Sequence, residues 1–151
     1  MNDKKITQQQ LQELAVRHEQ YQYQAESMAQ QINLVQMTIK EVEMALTTID
    51  ALKETPAGKE TLVPIGFGSF VKATLTNPDK VVIGIGAGIS IEKKIDDAKT
   101  LLDKRKDELT KYNEQLNTTI SKIALEIQNI EKIAQRFEPS QQQTNQPMHA
   151  E

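Results

Sequence analysis

ETLVPIGFGSFVKATLTNPDKVVIGIGAGISIE, residues 60–92, is the stretch on which the fold turns. It is apolar, β-branched and rich in Gly, while the segments on either side are long and rich in Gln and charge. Four β runs stand out at residues 62–65, 70–75, 81–85 and 89–91. Turn chemistry separates them at Gly66-Phe67-Gly68, Asn77-Pro78-Asp79 and Gly86-Ala87-Gly88. Alternation is clearest in Val81/Ile83/Ile85 and in Ile89/Ile91. The stretch reads as a small β-meander or as two hairpins. Either way, four short strands without a helix over them leave open edges and are too few to close a barrel. Pairing with strands of other chains closes a barrel jointly, so an obligate oligomer is expected. Its hub residues are Leu62, Val63, Ile65, Phe70, Val71, Leu75, Val81, Val82, Ile83, Ile85, Ile89 and Ile91.

Before the hub, residues 4–53 contain neither Gly nor Pro and abound in helix formers. With Leu11 at heptad position a, the a row is Leu11, His18, Ala25, Ile32, Ile39, Leu46. The d row is Leu14, Tyr21, Met28, Val35, Val42, Ile49, so the 3-4 spacing of a coiled coil is unbroken. The row weakens from Ile, Val and Leu beside the hub to Ala25, Tyr21 and His18 away from it, and packing is expected to loosen in that direction. His18 has no His, Asp or Glu one turn away on its own face; it reads as a poorly packed seam position rather than a metal ligand or pH switch. Pro56 and Gly58 end the helix.

After the hub, residues 95–137 again read as helix. The seam row is Ile95, Ala98, Leu102, Arg105, Leu109, Tyr112, Leu116, Ile120, Ile123, Ile127, Ile130, Ala134, Phe137. It carries a stutter between Leu116 and Ile120, and the stem of Arg105 is expected to cover the seam while its head reaches water. Folded back on the first row, it sets Ile49 against Ala98, Leu46 against Leu102, Ile39 against Leu109, Ala25 against Ile123 and Leu11 against Phe137. The paired numbers add to 147 or 148 throughout. Two seams of near-equal length running opposite ways are what an intramolecular antiparallel coil requires. The expected fold is α+β: a long antiparallel helical coiled-coil hairpin joined by two β-hairpins that complete an intersubunit β-barrel. Residues 1–137 form a single domain, and residues 138–151, with Pro139, Pro147 and many Gln, form a disordered tail.

Composition narrows function. There is no Cys, hence no disulfide framework or thiolate metal site. Residues 2–5 are polar with no apolar run after them, which reads as no signal peptide, and no run is long enough to span a bilayer. A net charge of −3 without a basic stripe argues against nucleic acid. Gly84-x-Gly86-x-Gly88 follows a strand, but it is not GxGxxG and Ser90-Ile91 still reads as strand. It is therefore turn and strand rather than a phosphate loop. The acids Asp96, Asp97, Asp103, Asp107 and Glu108 lie on a solvated helix face, and no nucleophile stands with its base. Neither an enzyme nor a cofactor is expected.

Off the seams lie Val16, Leu34, Met37, Met44, Leu125 and Ile133. Val16 and Ile133 fall near the distal ends, where the first seam is weakest. There Leu11, Leu14, Val16, Tyr21, Ile127, Ile130, Ile133 and Phe137 are expected to form an apolar contact surface.

LVPIGFGSF (residues 62–70), DKVVIGIGAGISIEK (79–93) and the helix opening IDDA (95–98), set between two coils, resemble the α class of the prefoldin family, in its archaeal type. The likeness covers residues 11–137. The resemblance implies that two such subunits, each with two β-hairpins, join four β-type subunits with one hairpin each. It further implies two eight-stranded barrels bearing six coiled coils, whose distal ends capture unfolded proteins without ATP. It also implies transfer of those proteins to a group II chaperonin in the cytoplasm. The alternative reading is a coiled-coil scaffold or tether without client binding.

Overall fold

The computed structural model describes residues 6–137; the tail expected at 138–151 lies outside the described residues. The elements follow in the order α1 (Gln8–Lys53), β1 (Glu60–Gly66), β2 (Ser69–Thr74), β3 (Lys80–Gly86), β4 (Ile89–Lys94) and α2 (Ile95–Phe137). They fall into two compact units. One holds Val35–Tyr112, with the hub and the adjoining parts of both helices. The other holds the described parts of Met1–Leu34 and Asn113–Glu151.

Helix α1 begins at Gln8 rather than at residue 4, because Thr7 and Gln10 cap it reciprocally. The Gln10 N–H donates to Thr7 Oγ1 at 3.3 Å and the Thr7 N–H to Gln10 Oε1 at 2.9 Å. At its other end the last turn tightens, the Glu54 N–H reaching the Ala51 carbonyl and the Thr55 N–H that of Leu52.

The hub is two separate antiparallel hairpins, β1–β2 and β3–β4, not a meander. Each turns on two residues with positive φ: Phe67 and Gly68 in the first, Ala87 and Gly88 in the second. Each also shifts register just before its turn, between Pro64 and Gly66 and between Gly84 and Gly86. The phrase Ile-Gly-x-Gly, at 65–68 and again at 85–88, is thus an internal repeat of one hairpin end. The connection between the hairpins keeps β2 from pairing with β3: Pro78 is buried, and the Asp79 carbonyl accepts from the Ile95 N–H at 2.9 Å.

Strand β4 runs into α2 without a loop, and Asp96 and Asp97 occupy the helix's first turn, where the dipole favours anions. Beneath it Ile49, Ile95 and Ala98 form a small core, with Leu52, Val81, Ile83 and Leu102 packed against it. Ala98 is 0 % exposed.

The α1 seam lies as its spacing predicts: every a and d residue from Leu11 to Ile49 is buried or half-buried. On α2 the row differs from expectation in its middle. Arg105 and Tyr112 are exposed, while Lys106 and Asn113 are half-buried. The four-residue step therefore falls between Leu102 and Lys106, and from Lys106 to Ala134 the 4-3 alternation is regular. Lys106 can stand in the row because its stem lies along it while Nζ joins Glu43 Oε1 at 3.0 Å. Asn113 Oδ1 is buried without a hydrogen-bond partner among the described residues.

Interhelical polar contacts follow the antiparallel register. Lys53–Asp96, Asp50–Lys99 and Glu43–Lys106 in one unit, and His18–Glu131 in the other, each join numbers adding to 149. That total is one step outside the seam pairing read from sequence, as flanking pairs should be.

Candidate assembly and client-binding surfaces

Alternation in the hub decides which residues the chain covers itself. In β3–β4, Val81 and Ile83 pack on the helical core, and the cross-strand partner of Ile83, Ile91, is half-buried with them. Leu75 is half-buried too. Val82, Ile85 and Ile89 are exposed, Val82 at 68 %. In β1–β2 both faces are apolar and uncovered. Val63 pairs with Val71 on one face, and on the other lie Leu62 and Phe70; Ile65 is exposed beside the bulge. A two-stranded sheet is marginal alone, and apolar side chains on both faces call for covering on both sides. One residue here escaped sequence reasoning: Phe67, at the tip of the first hairpin, is fully exposed. Its signal was an aromatic where a turn of this type wants Asn, Asp or Gly.

In the distal unit the candidate client residues divide. Val16 and Phe137 are exposed; Leu11, Leu14, Tyr21, Ile127 and Ile133 are half-buried; Ile130 is covered, at 6 %. Val16 lies in a shallow surface groove shared with Gln12, Glu13, Arg17 and Gln20, so it is an isolated apolar point rather than part of a contiguous patch. The expected loosening shows on α1, where no described residue before Val42 is fully buried. It does not show on α2, where Ile123 and Ile130 are as covered as residues near the hub.

His18 has a partner after all. Its Nε2 lies 3.1 Å from Glu131 Oε1, an acid from the other helix that a search of one helix face could not find. Tyr23 was also missed. It is exposed, and Val16, Tyr23, Met37 and Met44 recur at the heptad position opposite the seam.

Electrostatics beside the hub is local and solvated. The Lys53 ammonium hydrogen-bonds Asp96 at 2.8 Å and, through that bond and its charge, holds the carboxyl below the usual carboxylate range. Asp50, at 2.6 Å, holds the Lys99 ammonium above its ordinary value. A depressed carboxyl contributes stability above its ordinary range and loses it as pH falls through the folded value. A raised ammonium contributes below its ordinary value and loses it as pH rises through the folded one. Because Asp96 is exposed, Lys53→Met is expected to return the Asp96 titration, followed by NMR, to the ordinary range with little change in melting. An unmoved titration would show that Lys53 is not the cause.

An antiparallel helical hairpin carrying two exposed apolar β-hairpins defines a coiled-coil subunit whose strands are built to be covered by other chains. Residues 21–139 match the Prefoldin family, described as "Prefoldin subunit". The prefoldin subunit alpha of Methanosarcina mazei is 44% identical over 131 residues, covering 85% of this chain and 92% of that protein. That of Pyrococcus horikoshii is 32% identical over 133 residues, covering 87% and 88%. A cryo-EM structure of filamentous PFD from Methanocaldococcus jannaschii aligns with a TM-score of 0.66 at 26% identity, over 76% of this chain and 95% of that one. The chain belongs to the prefoldin family. Within it the likeness is to the archaeal-type alpha subunits, which are not enzymes.

Proposed function

We propose that the chain is an α-type subunit of a hetero-oligomeric, ATP-independent holdase chaperone, two copies assembling with four β-type subunits. The uncovered apolar hairpins carry this reading: they give the chain a surface that other prefoldin subunits complete. Residues 1–137 act as one subunit, with the hub as its assembly surface. Unfolded proteins are held at the distal parts of α1 and α2, by Leu11, Leu14, Val16, Tyr21, Ile127, Ile130, Ile133 and Phe137. They pass to a group II chaperonin in the cytoplasm. Exchanging seam contacts for client contacts costs little, because both bury apolar area at about 25 cal/mol per Å². Binding is weak per coil and gains strength from several coils acting together. The burial of Ile123 and Ile130 favours the second reading, a scaffold whose coil ends stay closed.

One truncation separates the two. Removing the residues before Met28 and after Ile120 leaves the hub and the adjoining coil. The oligomer is expected to survive, and suppression of aggregation of a chemically unfolded client to fall at least severalfold. Undiminished protection would move the client surface away from the distal coil.

A further inference from the structure

Asn113 is a half-buried seam residue of α2, with Leu109 and Leu116 as its neighbours in the row. Its Oδ1 is buried without a hydrogen-bond partner among the described residues. A buried carbonyl oxygen without a donor carries its full desolvation cost, and opening the seam returns it to water. The seam is therefore cheaper to open at Asn113 than where Ile or Leu fills the row.

The following turns of α2 weaken the same place. Asn117 Nδ2 donates to the Asn113 carbonyl at 2.9 Å and Thr118 Oγ1 to that of Glu114 at 3.0 Å. Thr119 Oγ1 donates to the Gln115 carbonyl at 2.9 Å and Ser121 Oγ to that of Asn117 at 2.8 Å. Side chains that bond the carbonyl four residues back slightly destabilise a helix and often bend it. Asn, Thr and Ser are also weak helix formers in a helix interior. Thr47 and Thr48 make the same bond on α1, but there Asp50–Lys99 and Glu43–Lys106 tie the two helices together. Around 113–121 that help is missing. Residues 27–39 of α1 carry no charge, and the interhelical contacts between charged or titratable groups stop at Glu43–Lys106 on one side and resume at His18–Glu131 on the other. The division of the chain into compact units also falls here on α2, between Tyr112 and Asn113.

We propose that residues 113–121 of α2 are a built-in yield point, at which the seam opens and the helix bends while the core of Ile49, Ile95 and Ala98 stays closed. Opening hydrates Asn113 Oδ1, and the back-bonded carbonyls keep a side-chain donor when their backbone bond lengthens, so the bend strands few polar groups. The device belongs to the coil itself and holds whether or not the distal coil binds clients.

Amide hydrogen exchange of the full chain, read by segment, tests this. Exchange at 113–121 is expected to run about tenfold to hundredfold faster than at 99–109 and at 123–130, the factor that one unpaired buried acceptor supplies. Asn113→Leu, which removes the buried oxygen and continues the apolar row, should slow exchange at 113–121 to the rate of its flanks and raise the melting midpoint. The triple change Thr118→Ala, Thr119→Ala, Ser121→Ala, which removes three back-bonds from exposed positions, should slow it as well. Bending is read separately by electron spin resonance. Because the chain has no Cys, labels on Lys104→Cys and Gln128→Cys, both exposed, report on α2 alone. A straight helix sets them about 36 Å apart. The distance distribution should be broad in the parent and narrow with Asn113→Leu. Exchange at 113–121 no faster than at its flanks would overturn the proposal, as would a narrow distribution in the parent. A lower melting midpoint for Asn113→Leu would show that the amide is satisfied in place, and would overturn it too.

Discussion

Ile49→Asp is expected to lose about 3–5 kcal/mol of stability in urea unfolding followed by far-UV circular dichroism. Ile49 is 5 % exposed and packs with Ile95 and Ala98, the residues that seat the start of α2. A carboxylate there either stays ionised without a full set of partners or takes up a proton, and both are costly. The deficit should shrink as pH falls, since a protonated side chain is cheaper to bury. Lys40→Asp, on the exposed side of α1, should change stability by no more than about 0.5 kcal/mol. Both variants are compared at one protein concentration, because association adds to apparent stability. Equal losses in the two would refute the seam.

Val82→Asp and Ile83→Asp, one residue apart, should fail in different ways. Val82 is exposed in the chain, so a charge there costs the isolated fold little; if other strands cover it, the charge is stranded in the interface. Native mass spectrometry of Val82→Asp should show loss of the oligomer while far-UV helicity is kept. Ile83 faces the chain's own core, so its variant should lose helicity in the hub-proximal coil as well as assembly. The split follows from strand alternation, by which neighbours point to opposite faces. Wild-type assembly by Val82→Asp would remove the hub as the assembly surface.

Local chemistry accounts for what was legible beforehand. Heptad spacing placed every α1 seam residue from Leu11 to Ile49, because a helix face depends only on the backbone period and the positions of its apolar residues. Gly and Pro marked the turns, since φ preferences belong to the residue itself. The antiparallel register followed because both seams are anchored at one hub, which leaves little freedom to slide. The identity and number of the candidate client contacts were less legible, because exposure depends on what lies opposite: Ile130 is covered and Val16 stands alone among polar neighbours.

Tertiary structure decided the rest. Whether four strands make a meander or two hairpins depends on the path between β2 and β3, which buried Pro78 and the Ile95–Asp79 hydrogen bond settle. The α2 seam takes Lys106 and Asn113 in place of Arg105 and Tyr112, because the phase of a helix is set by the helix it packs on. A long polar side chain whose head reaches Glu43 serves there as well as an apolar one. His18 found Glu131 across 113 residues of chain, a distance at which periodicity carries no information. Phe67 was plain in the sequence as a turn residue. Only three dimensions show that it is an exposed ring on a left-handed backbone, because solvent exposure is a property of the folded surface.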